Sequence, residues 1–282
     1  MQIKYYGTGA GAGIPELFCH CRVCQNARDM GGKEIRSRSQ AVIDGVLSID
    51  FPVDTFMHTA IYGLDMRKVK NVLITHGHHD HYLPADIFSR AWGMTEPVNF
   101  YLPEPTAEAL KKSADAREEA FRTGKRKRTN EVLVTSNALH MFEPVDIDNY
   151  HVIPVMARHA QESLCAMNFV IQSEGKSIFW MHDTGKPRSA TKDFLKESGI
   201  VFDYISMDCT LKRGNPITGG HMDLDRCLET LADLRANGNV DDHTKIVLSH
   251  IGHLVEQTHD ELVAEAAEYG MIVAYDGMVI DV

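Results

Sequence analysis

Apolar residues in this chain come in short bursts separated by polar stretches of helical period. Bursts at Gln2–Tyr6, Ala41–Ile43, Val46–Ile49, Val72–Ile74, Val98–Tyr101, Val152–Val155, Asn168–Ile171, Ser177–Trp180, Tyr204–Met207, Lys245–Leu248 and Ile272–Ala274 are too short for helices, which predicts strands. Several run apolar without alternation, the pattern of strands buried on both faces. Helices are clearest at Thr106–Phe121, Thr191–Ser198, Leu224–Ala236 and Gln257–Tyr269. In the last, Leu262, Ala266 and Tyr269 recur at helical spacing, while Asp260, Glu261, Glu265 and Glu268 form a polar face. The alternation predicts an α/β fold in which sheets are covered by outer helices. No repeat, low-complexity tract or clean linker divides the chain, so residues 1–282 are expected to form one domain. The charged stretch at about 103–144 looks like an insertion, a lid or a partner surface.

Composition adds little to that picture and removes some alternatives. At 44% apolar residues, 282 residues can bury a substantial core. Met1-Gln-Ile-Lys-Tyr-Tyr6 has no charged-then-apolar leader pattern, and no apolar stretch is long enough for a membrane helix. A cytoplasmic location without membrane contact is expected. The net charge of -10 disfavours a broad nucleic-acid surface, whereas bound metals would make a site floor locally positive and suited to a small anionic phosphate-ester substrate; a homodimer is left open. The basic run Lys125-Arg-Lys-Arg128 is the local exception; such runs are usually solvated, but near a pocket one could steer a phosphate.

The chemistry concentrates in Thr75-His-Gly-His-His-Asp-His81, directly after the apolar run Val72–Ile74. Imidazole nitrogen and carboxylate oxygen suit zinc, manganese or iron, and so dense a polar cluster at a strand end would be costly unless metal or substrate needs it. Further ligand types stand just beyond other apolar runs: His159 after Val152–Met156, Asp183 after Ile178–Met181 and His250 after Ile246–Ser249. A second cluster, Cys19-His-Cys21-Arg-Val-Cys24, holds three of the six cysteines. In a reducing compartment that spacing suits thiolate ligation, and a closed tetrahedral zinc site needs a fourth ligand, for which His253 is the candidate. His20 is expected to point away, and buried free thiols are the plain alternative. Gly7-Thr-Gly-Ala-Gly-Ala-Gly13 fails the register of a dinucleotide loop; its glycines are expected to form a tight turn close to the metal edge.

The spacing His76-x-His78-x-Asp80-His81 resembles the signature of the metallo-β-lactamase superfamily. The resemblance implies a four-layer αβ/βα sandwich with two divalent metals, manganese or zinc, at one edge. It would place His76, His78 and His159 on one metal, Asp80, His81 and His250 on the other, and Asp183 between them; His79 is not assigned. With Cys19, Cys21, Cys24 and His253 as a structural zinc site, the chain resembles the PhnP-like phosphoribosyl cyclic phosphodiesterases of phosphonate breakdown. Met207-Asp-Cys209, Gly220-His-Met-Asp-Leu224 and Tyr275-Asp-Gly277 carry that likeness further. It implies hydrolysis of a small cyclic phosphate ester, with Asp183 at the reacting centre, His221 acting on phosphate or leaving oxygen, and Asp208 in support. His221 could instead cap the helix starting near Asp223. Two other readings use similar residues: an RNA-processing nuclease of the RNase Z kind, and a non-hydrolytic PqqB-like metal-binding accessory protein.

Overall fold

The computed structural model describes residues 1–88, 96–125, 134–159, 165–217 and 219–282. Two seven-stranded sheets face each other. The first has the order β14 (Val279–Asp281), β1 (Gln2–Gly7), β2 (Gln40–Ile43), β3 (Leu47–Ile49), β4 (Asn71–Leu73), β5 (Val98–Pro103), β6 (Val134–Leu139). The second runs β13 (Ile272–Val273), β12 (Lys245–Ser249), β11 (Tyr204–Asp208), β10 (Lys176–Met181), β9 (Met167–Ser173), β8 (Tyr150–Met156), β7 (Val145–Ile147). Each sheet is antiparallel in one half and parallel in the other: β3 to β6 are parallel, as are β10 to β13.

Alternation along each strand divides its apolar side chains between two faces. Ile3, Tyr5, Ala41, Ile43, Leu73, Val152, Ile178, Trp180 and Val247 join one core between the sheets. Their neighbours point outward to helices. Val42, Val72, Ile74 and Phe100 meet Ala107 and Leu110 of α4 (Glu104–Arg122). Val155, Phe179, Met181, Ile205 and Leu248 meet Leu195 of α5 (Ser189–Ser198), Leu224 and Leu234 of α6 (Leu224–Ala236), and Leu262 and Ala266 of α7 (His259–Ala267). The expected four-layer sandwich follows from this division.

Three strands escape the sequence pattern: β6, β7 and β14. All lie at sheet edges. There one flank is open and burial is partial, so the apolar signal weakens. Short helices α1 (Arg22–Met30), α2 (Thr55–Tyr62) and α3 (Pro84–Ile87) are also additional. Tyr269 lies beyond α7 and is exposed, so it is not part of that helix's apolar face. Within the stretch 103–144, expected to be an insertion, α4 packs on β5 and on its parallel neighbour β6, which forms the edge of the first sheet. Of the basic run, residues 126–128 lie outside the described residues. Among the described residues no helix is long and apolar enough to cross a membrane.

Candidate metal centre

The carboxyl ends of the strands converge on one edge, where loops from different elements can aim at a common point. His76, His78, Asp80 and His81 follow β4, His159 follows β8, Asp183 follows β10, Asp208 ends β11 and His250 follows β12. Asp50, Asp183 and His250 each take a left-handed backbone one or two residues past a strand, with φ of 65°, 51° and 53°. Asp and His tolerate that region better than most residues. The conformation turns each side chain off the sheet's alternation and toward the edge.

The structure brings the predicted ligands into two groups. The ligand atoms of His76, His78, His159 and Asp183 all lie within 4.8 Å of one another, and so do those of Asp80, His81, Asp183 and His250. Asp183 belongs to both. Its Oδ2 stands 3.2 Å from His76 Nε2 and 3.3 Å from His81 Nε2, and its Oδ1 2.9 Å from His159 Nδ1. These separations are short, yet His81 Nε2, His159 Nδ1, Asp183 Oδ1 and His250 Nε2 are buried with no hydrogen-bond partner. Buried polar atoms are normally satisfied, and four orphans in one cluster of nitrogen and oxygen donors fit divalent metal binding.

Protonation agrees with a ligand role. Burial chiefly, helped by the neighbouring histidines, pushes His76 down to about 4, and burial also lowers His78, so both favour the neutral imidazole a metal requires. Burial pushes Asp183 and Asp80 upward, but surrounding histidines outweigh it and hold both carboxyls below their usual range. His81 is the contrast. Burial opposes its charge, but Asp50, Asp183 and Asp80 overcome it and raise the ring well above its ordinary value, so without a cation it keeps a proton where one would sit.

The rings are gripped from behind. His81 Nδ1 lies 2.6 Å from Asp50 Oδ2, while Asp50 Oδ1 accepts from the Thr75 amide and hydroxyl, each at 2.9 Å. His250 Nδ1 lies 3.0 Å from Asp208 Oδ2 and 3.0 Å from Thr210 Oγ1. In both residues the outer nitrogen is anchored and Nε2 faces the cluster, the arrangement that fixes a ligand's tautomer. Asp50 and Thr210 go unnoticed in the sequence, although Asp50 obeys the rule that finds Asp183: an acid just beyond an apolar run. Gly11 closes the edge, and a Cβ there would stand 2.8 Å from Asp80 Oδ2.

His221 joins Asp183, Asp208 and His250 in a third, overlapping group. Its Nδ1 is 3.1 Å from Asp208 Oδ2 and 3.4 Å from Asp183 Oδ1, and its side chain is 29% exposed where the other imidazole shared by that group, His250, is sealed. Burial lowers its pKa, but Asp208, Asp183 and Asp80 together raise it to about 9; a cation beside it would push it back down. The helix cap belongs to Asp223, which accepts from Arg226 N. His79 and His20 are exposed and join no group.

Far along the chain from the histidine loop, Cys19, Cys21, Cys24 and His253 form the remaining group. His253 Nδ1 is 3.3 Å from Cys19 Sγ and 3.6 Å from Cys21 Sγ. Backbone amides of Cys21, Cys24 and Glu16 point at the sulfurs of Cys19, Cys21 and Cys24, at 3.4, 3.5 and 3.3 Å. Burial raises the Cys21 thiol, but the amide of Cys24 and His253 outweigh it and bring it down to about 6. Sulfur donors, amide support and one imidazole suit a closed tetrahedral zinc.

Two facing sheets with a histidine–aspartate edge and helices outside constitute the metallo-β-lactamase fold. The chain belongs to the beta-lactamase superfamily, whose domain model matches residues 41–251. It is similar over its whole length to the structure of a diphosphatase from the PhnP family, at 20% identity and a TM-score of 0.73, covering 97% of that chain. Zinc-bound PqqB from Methylobacterium extorquens aligns with 100% of both chains at 18% identity and a TM-score of 0.73. The short form of human tRNase Z aligns with 100% of this chain and 99% of its own at 16% identity and a TM-score of 0.67. At these identities the likeness is one of fold. An octanoyltransferase of Porphyromonas gingivalis (strain ATCC BAA-308 / W83) is 35% identical over 83 residues, 29% of this chain, and the chain spans 16% of that protein's length.

Proposed function

We propose that this protein is a dinuclear metal-dependent phosphodiesterase acting on a small cyclic phosphate ester, with phosphoribosyl 1,2-cyclic phosphate as the favoured substrate. The observation that carries the reading is Asp183, whose two oxygens face the donor atoms of both histidine groups. His76, His78 and His159 would hold one cation, Asp80, His81 and His250 the other, with Asp183 shared and Cys19, Cys21, Cys24 and His253 holding a structural zinc. Two cations held there would supply Lewis acidity toward the phosphoryl group and make water more acidic.

The chain's own groups supply the rest. Asp208 fixes His221 through Nδ1, which leaves Nε2 free to deliver a proton to the leaving sugar oxygen. Gly11 leaves room for Asp80, since a Cβ there would stand 2.8 Å from its Oδ2.

The deciding experiment combines metal analysis with turnover on ribose 1,2-cyclic phosphates, bis(p-nitrophenyl) phosphate and a structured RNA. About three metals per chain and a preference for the small cyclic ester are expected. Cleavage of the RNA in preference to the small esters would establish the nuclease reading, and a single zinc with no turnover the accessory-protein reading.

A further inference from the structure

Each of the two ligand groups around Asp183 is assembled from both sheets. His76, His78, Asp80 and His81 come from the loop after β4 of the first sheet, while His159, Asp183 and His250 follow β8, β10 and β12 of the second. The spacing of the donor atoms therefore depends on how the sheets are held against each other at this edge. Much of what lies between them is apolar, with Leu73, Ile178 and Trp180 among the buried side chains. Apolar contact is non-directional. Hydrogen bonds have strict length and angle requirements and can set a separation.

A polar chain crosses this core beneath the metal edge. His182, next to Asp183 in sequence and only 1% exposed, has Nδ1 3.0 Å from Ser39 Oγ, just before β2 of the first sheet, and Nε2 2.7 Å from Ser206 Oγ in β11 of the second. Ser206 Oγ is in turn 2.6 Å from the hydroxyl of Tyr5 in β1, which meets that of Tyr204 in β11 at 2.6 Å. Polar side chains inside an apolar core are costly unless each is paired, and all of these are. A neutral imidazole has one donor and one acceptor, and a hydroxyl answers either, so the ring can bond both serines at once. Its surroundings hold it in place: the His182 carbonyl accepts from Asn168 Nδ2 at 3.0 Å, and the Trp180 ring centroid stands 4.1 Å from its own. Backbone bonds between the sheets adjoin other ligands, Met167 N to Thr75 O beside His76 and Ile251 N to Thr8 O beside His250, each at 2.9 Å. At the shared carboxylate the crossing is made by a side chain.

We infer that His182 is a positioning residue: by bonding both sheets at once it sets where Asp183, with its left-handed backbone, stands between the two groups of histidines. This rests on the two-cation reading of the edge given above and not on the substrate.

The test titrates Mn(II), which suits carboxylate and imidazole sites better than thiolate ones, into protein that retains its structural zinc, and records the visible spectrum of the edge loaded with Co(II) instead. In His182→Phe, which keeps a ring but bonds neither serine, affinity at both edge groups should fall roughly tenfold to a hundredfold, the range for partners behind a metal ligand, and the cobalt bands should shift. Ser39→Ala leaves the ring and its packing in place and removes the first-sheet end only; it should move affinity and bands in the same direction. His182→Asn, whose amide keeps a partner for Ser39, should bind metal more tightly than His182→Phe. Unchanged affinities and bands in both His182→Phe and Ser39→Ala, whatever their melting temperatures, would make the ring a packing residue and overturn the assignment. If the phenylalanine variant does not fold, Ser39→Ala decides. Should the wild type bind a single cation at the edge, the dinuclear reading fails by itself, and the positioning role is decided without edge metals by hydrogen exchange of residues 182–185. Faster exchange in Ser39→Ala would sustain it, and exchange at the wild-type rate would end it.

Discussion

Replacing Asp50 with asparagine isolates the influence of a carboxylate that touches no metal position but sets the state of one that does. Asp50 is fully buried, and each of its oxygens is committed. Oδ1 accepts from Thr75 N and Thr75 Oγ1 at 2.9 Å each, and Oδ2 lies 2.6 Å from His81 Nδ1. Asparagine has the same shape but one oxygen fewer. If its carbonyl stays with Thr75, its NH2 meets His81 Nδ1, which must then accept; the ring proton moves to Nε2, the atom facing the cluster. If the amide flips, the buried Thr75 N–H loses its acceptor. The first outcome costs roughly 10–100-fold in metal affinity, as for other partners behind a ligand histidine. The second costs about 1–3 kcal/mol of stability.

Plasma mass spectrometry should therefore show selective loss from the group of Asp80, His81 and His250, with the His76, His78 and His159 group retained and a folded circular dichroism spectrum. A second readout comes from the metal-free protein. There Asp50 is the strongest influence raising the His81 pKa against burial, so the His81 ring should titrate lower by NMR in Asp50→Asn. Wild-type metal content together with an unshifted His81 would refute the claim that Asp50 controls the ligand's proton.

Asp183→Asn should keep the fold but lose most turnover and weaken metal binding at both groups, and wild-type turnover would contradict a shared carboxylate. His221→Ala should retain both metals and lose roughly a hundredfold or more in turnover, in line with general acid contributions; the loss should shrink on substrates releasing p-nitrophenolate, and an equal loss would leave phosphate positioning instead. Cys21→Ser should release the structural zinc and lower the melting temperature with only secondary loss of activity, since structural zinc contributes directly to folding; unchanged metal content and melting would favour free thiols. His58 gives a pH signature apart from the metals. Burial chiefly holds it down to about 4, and it is bonded to Ser37 Oγ at 2.8 Å and to Gln40 Oε1. Because the folded value lies below the unfolded one of about 6.5, its contribution is full above that pH and disappears as pH falls toward 4, a loss of the order of 3 kcal/mol. His58→Gln should flatten the wild-type decline in urea stability over that interval, and parallel pH profiles would contradict it.

The legible parts of this molecule were those in which one short segment contains both the position and the chemistry. His76, His78, Asp80 and His81 sit in one loop after one apolar run, and Cys19, Cys21 and Cys24 lie within six residues, so spacing alone brings them together. Central strands were equally legible, because both faces of β8, β10 and β12 are buried and their apolar runs are unbroken. The edges were not. In β6 and β14 only part of the strand is covered, and polar residues such as Thr135, Ser136 and Asn137 hide the extended chain. The 103–144 stretch is hard to read for the same reason: its charged helix α4 shows in the sequence, while the edge strand β6 that α4 packs on does not.

Aim is harder to read than position. Asp50, Asp183 and His250 each stand one or two residues beyond a buried strand, and a sequence can show that much. What makes them act together is a left-handed backbone at each, which redirects the side chain toward the common edge. Position alone does not imply that backbone: Asp208 follows the same run-then-acid pattern, does not take it, and turns instead to anchor His221 and His250.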